Sequence, residues 1–231
     1  MRRKRVSIRK ICSTLGHSIP YQKKLSNFKS KKWSKVRSSS LQTHFIDSQI
    51  KKKNLYPARQ WYKYRLSSKQ KVKGAFGFIK DQQLKSIFRQ SDMNTEVDSI
   101  TTIQILESRL DLLIYRMGFA GSLFKAHQLI NHGFVFVNGI KTNSKSFNVK
   151  KGDLIEINPK YWSLVFKEVH SRLEKNSLFM PAPKYLEINY KLLVGILLEN
   201  PIPSGIHYLT PMDVGSAKDF YSPTGIRPLC F

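Results

Sequence analysis

The chain has 231 residues, 41% hydrophobic and 12% aromatic, with 40 Lys and Arg against 15 Asp and Glu, a formal net charge of +25. Its two cysteines, Cys12 and Cys230, form no Cys-x-x-Cys, and no histidines stand at metal-ligand spacing, which argues against a zinc site. No apolar run approaches the roughly 20 residues that span a bilayer, and the cations of Met1–Lys10 are not followed by the apolar segment of a secretory signal.

The charge is concentrated at one end: 23 of the Lys and Arg residues fall within the first 80 positions, where Asp47 is the single acid. Like charges in one block repel until a polyanion neutralises them, and each cation brought to a phosphate releases a condensed counterion. Nucleic acid is therefore the expected partner, and no membrane is expected.

Residues 1–53 show no helical or strand period and read as a basic extended arm, with cations clustered at Arg2–Arg5, Lys31–Lys35 and Lys51–Lys53. Two readings of its Tyr21, Phe28 and Trp33 stand side by side: rings that stack on bases, or rings that anchor the arm to its own domain. Residues 1–40 also have the Arg, Lys and Ser bias of an organellar transit peptide, although the further cations at 51–73 favour a retained arm.

From Lys69 a helical period appears, with Val72, Phe76, Ile79, Leu84, Ile87 and Phe88 on one face. The polar stretch 91–98 predicts a linker. A second amphipathic helix is expected through Ile103, Leu106, Leu110, Leu113, Ile114 and Met117, ended by Gly118. A third, short one starts at the N-cap Ser122, turns Phe124, Leu129 and Ile130 inward, and stops at Asn131-His132-Gly133.

Phe134–Val137 reads as a strand, Asn138-Gly139 as a hairpin turn, and Leu154–Ile157 as an alternating strand. A helix is expected at about 161–175. From Pro181 onward seven prolines punctuate short strands and turns around Leu186–Tyr190 and Leu192–Leu198. The expected class is α+β, divided into the arm 1–53, a helical region 54–97, a module of two helices and a small twisted sheet 98–160, and a Pro-rich C-terminal segment 161–231 that packs back on the helical region.

The run Ser108-Arg109-Leu110-Asp111, Tyr115-Arg116-Met117-Gly118-Phe119-Ala120, Lys125-Ala126-His127-Gln128-Leu129-Ile130-Asn131-His132-Gly133, Val137-Asn138-Gly139 and Lys151-Gly152-Asp153-Leu154-Ile155-Glu156-Ile157 resembles the S4 RNA-binding module. Upstream, Lys69-Gln70-Lys71-Val72-Lys73 before Phe76-Gly77 resembles a helix of the small-subunit ribosomal protein S4 family. Downstream, Pro183–Tyr190 and Phe220-Tyr221-Ser222 resemble that family's C-terminal segment. The resemblance covers about residues 59–222.

Several residues have a physical reading as RNA contacts. Arg109 and Arg116, seven apart, would share one helix face and straddle phosphates, or Arg109 would pair with Asp111 or Glu107 in solvent. Lys125, Gln128 and Asn131 share a face suited to phosphate and ribose, or are a solvated helix surface. His127 and His132 can donate to phosphate, or His132 helps end its helix, and Lys141 lies beyond the Asn138-Gly139 turn. With Arg59, Lys69, Lys71, Lys73 and Ser122, these form the expected rRNA-binding set; no catalytic residue, metal or cofactor is expected. Family members commonly carry basic residues where this chain has Leu123 and His127, and Cys12 alone cannot reproduce the metal-binding cysteine cluster of some bacterial relatives.

The resemblance implies a structural constituent of the small ribosomal subunit that binds a junction in the 5′ part of its rRNA and nucleates assembly. It also implies small-subunit proteins three and five as neighbours, beside the channel by which mRNA enters. The competing reading is a pseudouridine synthase, since Arg109-Leu110-Asp111 has the look of that catalytic neighbourhood. Against it, the motif lies inside the module and only about 74 residues follow. A bare-module ribosome-rescue or heat-shock protein would lack the flanking matches. Richness in Lys, Ile, Phe, Ser and Asn points to a mitochondrion, with plastid or bacterial cytoplasm as alternatives.

Overall fold

A computed structural model describes residues 58–92, 98–174, 182–203, 206, 208 and 212–221. The expectations for the arm, the 93–97 part of the linker, both cysteines and the last ten residues lie outside the described residues. The chain forms two compact units, one containing residues up to Met93 together with His207–Phe231, the other Asn94–Ile206.

In the first unit, α1 (Ala58–Ala75) and α2 (Asp81–Asp92) replace the single helix implied by the period from Lys69. The chain turns between them because Gly77 and Phe78 both take positive φ, of 78° and 57°. Val72, Phe76, Leu84 and Phe88 are buried, while Ile87 is half-exposed. A short helix absent from the sequence expectations, α7 (Val214–Asp219), packs against α1. Asp213 caps it, accepting from Ser216 N at 2.9 Å, and its second oxygen accepts from Tyr64 Oη at 3.0 Å on α1. Tyr208 meets Phe76 edge-on, and Tyr221 tilts against Phe88.

The second unit begins with α3 (Asp98–Glu107) and α4 (Leu110–Arg116), two helices where one was expected. The break falls at Ser108-Arg109. Arg109 is extended, with ψ of 137°, and pairs as an antiparallel bridge with Asn148; Leu110 N donates to Phe147 O at 2.8 Å and Val149 N to Ser108 O at 2.9 Å. The chain gives up a helical turn there to pair with a distant loop. Then come α5 (Leu123–Asn131), β1 (Val135–Val137), β2 (Ile140–Lys141), β3 (Leu154–Ile157), a 3-10 turn (Pro159–Tyr161), α6 (Trp162–Glu174), β4 (Leu186–Asn189) and β5 (Val194–Leu197).

All five strands join one antiparallel sheet in the order β2-β1-β3-β5-β4. The mixed α+β architecture agrees with the sequence reading. The Asn138-Gly139 hairpin forms between Val137 and Ile140, both turn residues at positive φ as a tight two-residue turn requires. Asn138 does more than turn. Its amide donates to Asp153 Oδ1 at 2.9 Å and its carbonyl accepts from Leu154 N at 2.9 Å, tying the hairpin to the start of β3.

Alternation puts Val135, Val137, Ile155, Ile157 and Leu197 on the buried face, against Leu110, Leu113, Ile114, Met117 and Ile130 from the helices in the same core. Gly195 stands on that face because Met117 occupies the space a side chain would need: a Cβ there would lie 2.6 Å from Met117 Sδ and Cε. The expected C-terminal segment is thus divided, since residues 186–197 complete the module's sheet through β3–β5 pairing, whereas α7 belongs with α1.

Candidate nucleic-acid interface

The second helix of the module, α5, presents the most coherent polar face. Ser122 caps it, its Oγ accepting from Lys125 N at 3.3 Å. Ala126, Leu129 and Ile130 are buried, which turns Lys125, Gln128 and Asn131 to solvent. His132, just past the helix, and Lys141 on β2 are exposed as well. Phe124 departs from expectation: it is 37% exposed rather than inward, because helical spacing sets it on the side of α5 opposite the buried Ala126, Leu129 and Ile130.

His127 does not join the solvent face. Its Nε2 lies 2.9 Å from Asp111 Oδ2, and Asp111 is held from the other side by Arg109, whose Nε and guanidinium nitrogen donate at 3.2 and 2.9 Å. Leu112 N donates to the same carboxylate at 2.9 Å. Burial pushes the Asp111 carboxyl up, but the hydrogen bonds from His127 and Arg109 and the Arg109 charge outweigh it, leaving the carboxyl below its ordinary value. The ionised carboxylate accepts, so His127 donates through Nε2.

Arg116 is likewise turned inward. It donates to Glu107 at 3.2 and 2.8 Å, and Tyr185 Oη donates to Glu107 at 3.1 Å from the segment before β4. Glu107 is fully buried, and burial followed by the Glu107 charge raises the Tyr185 phenol well above its ordinary value. Arg109 and Arg116 therefore do not share an exposed helix face. Arg109 caps α4 and Arg116 ends it, and both guanidiniums are turned inward to buried carboxylates.

In the first unit, two of the three lysines of the Lys69-Gln70-Lys71-Val72-Lys73 run have protein partners. Lys73 pairs with Asp81 at 2.9 Å; Lys69 lies 3.6 Å from the same carboxylate with its ammonium 3.9 Å above the Phe220 ring. Tyr221 Oη donates to Asp81 at 2.9 Å. Burial lowers Lys69, more than Asp81 restores it, and burial lowers Lys71 against the pull of Asp213. Sequence reasoning missed Asp81 and Phe220 as partners of Lys69 and Lys73. The signal available was the scarcity of acids near so many cations. Arg59 lies in α1, and its side chain is outside the described residues.

A capped helix whose outer face carries a cation, amides and an imidazole, set beside a small antiparallel sheet, is the arrangement of an S4-type module, and residues 108–155 match the S4 domain model. The likeness extends well beyond it. The chain is 35% identical over 159 residues to small ribosomal subunit protein uS4 of Rhizobium leguminosarum bv. trifolii, covering 68% of this chain and 75% of that relative. It is 33% identical over 158 residues to the uS4 protein of Agrobacterium fabrum and 32% identical over 158 residues to that of Allorhizobium ampelinum, with the same coverage. The chain belongs to the small ribosomal subunit protein uS4 family.

Proposed function

We propose that the chain is a structural, rRNA-binding constituent of the small ribosomal subunit, and that α5 meets RNA through Lys125, Gln128 and Asn131. The observation that carries this reading is the exposure of those side chains on a helix whose opposite side is locked into the core. Backbone-directed polar groups on a rigid element recognise folded RNA by shape and 2′-hydroxyl position rather than by sequence. His132 and Lys141 extend the surface; Ser122 serves it by capping. Arg109, Arg116 and His127 serve it by holding α4 and α5 in place.

Asp111 supports a non-catalytic reading, being 1% exposed and engaged by Arg109 and His127. The finer placement follows the resemblance of the flanking segments: a junction in the 5′ region of the rRNA, a role in nucleating assembly, proteins three and five as neighbours, and proximity to incoming mRNA. Composition favours a mitochondrial ribosome, while the bacterial relatives keep bacterial cytoplasm as the alternative. No helix among the described residues is long and apolar enough to cross a membrane.

The test is Lys125→Glu, measured against an intact small-subunit rRNA junction and against the same RNA with its junction disrupted. The substitution replaces attraction by repulsion at a phosphate, so affinity for the intact junction should fall severely. Gln128→Ala should cost about one hydrogen bond, ~1 kcal/mol. Wild-type affinity in Lys125→Glu would show that this face is merely solvated.

A further inference from the structure

At the end of α5 three rings form a column. The His132 ring lies 5.4 Å from that of Phe134 at an interplanar angle of 22°, and Phe134 lies 3.5 Å from Tyr161 at 21°. The rings come from three elements: the C-cap of α5, the residue before β1, and the 3-10 turn. Each is fixed by its backbone. Phe134 N donates to Leu129 O at 3.0 Å, Asn158 N donates to Phe134 O at 2.8 Å, and Asn158 Oδ1 caps the 3-10 turn by accepting from Lys160 N at 3.0 Å. Trp162 Nε1 donates to Ile157 O at 2.7 Å, holding the turn from its other end.

Phe134 and Tyr161 are half-buried, but His132 is exposed. The Lys141 stem crosses Gly133, the residue between His132 and Phe134, so closely that a Cβ there would lie 2.6 Å from the ammonium. A pre-aligned stack that ends in an exposed flat ring, with a cation beside it, presents a π-face and a phosphate partner together. Rings needed only to brace the turn would not have to continue to solvent.

We propose that this column is a stacking site for an unpaired RNA nucleobase, which lies on His132 while the adjoining phosphate meets Lys141. The proposal rests on the rRNA-binding reading and deepens it: the ligand at this end of α5 is a base turned out of its helix, not backbone alone. Stacking of this kind tolerates any base and loses strength when the ring is removed.

The experiment uses the full chain, an eight-nucleotide oligoadenylate, and an abasic oligomer of equal length and charge. Binding is measured at about 0.3 M salt, where phosphate contacts are weakened. Wild type should prefer the base-bearing oligomer. His132→Ala should cut that preference about tenfold, within the range of one stacked base, and should weaken binding to the base-bearing oligomer far more than to the abasic one. His132→Tyr, which retains a flat ring, should keep the preference. If His132→Ala preserves the wild-type preference while the full chain still binds small-subunit rRNA, the stacking site is refuted and the rRNA reading stands. Failure of the full chain to bind small-subunit rRNA overturns both.

Discussion

Replacing Arg116 by Ala separates a structural from an RNA-binding role for this cation. The Arg116 side chain is 6% exposed and Glu107 0%, and the substitution removes two hydrogen bonds, at 2.8 and 3.2 Å, from a carboxylate that water does not reach. Tyr185 Oη still donates at 3.1 Å, but a neutral phenol does not compensate the charge. Removing one partner of a buried ion pair costs about 3–5 kcal/mol. Against a total stability of roughly 5–15 kcal/mol, that loss is large. With a urea m-value of about 2 kcal/mol/M, the unfolding midpoint should fall by about 2 M. The salt dependence of rRNA affinity, measured where the variant is still folded, should keep its wild-type slope, since a lost phosphate contact would reduce it by about 0.7–0.9. A midpoint shift below about 0.5 M together with a shallower slope would refute the argument and return Arg116 to the RNA surface.

Two further substitutions probe the same unit. Gly195→Ala places a Cβ 2.6 Å from Met117 Sδ and should destabilise by about 1–3 kcal/mol in thermal or chemical unfolding; Met117→Ala in the same chain should relieve the clash, and additive losses would refute the packing account. The Asp111 carboxyl is held below its ordinary value in the folded chain, so its contribution is present above the unfolded value of about 3.9 and is lost as pH falls toward the lowered one. The stability gap between wild type and Asp111→Asn should therefore narrow below about pH 4, and a gap independent of pH would contradict the network.

What could be read from the sequence was local. The N-cap Ser122, the Asn138-Gly139 hairpin and the alternation of Leu154–Ile157 depend on neighbours within a few residues, and each formed where expected. What escaped depended on partners far along the chain. Nothing near Arg109 announces that Asn148 will pair with its backbone and break the helix, and nothing near Arg116 announces that Glu107 and Tyr185 will draw it inward. Nothing near Lys69 announces Phe220, 151 positions away, so a basic run that reads as phosphate-binding is in part an internal clamp. The exposed face of α5 was legible because amphipathic spacing reports burial directly; the expectation for Phe124 followed its apolar character instead of that spacing, which sets it opposite Ala126, Leu129 and Ile130.

The position of β5 bears on how the chain is made. β3 is covered on one side by β1, but its other edge pairs with β5, and about forty residues separate Ile157 from Leu197. At a synthesis rate of about 5–20 residues per second, the ribosome making this chain needs roughly 2–8 s to deliver β5 after β3. Throughout that interval β3 is an unpaired edge strand, a template for any other strand that meets it first. The same interval leaves Met117 without the bare backbone of Gly195 to rest on. A nascent chain in this state has α5 assembled and its sheet still open, so a partner that engages α5 early would shield a folding intermediate.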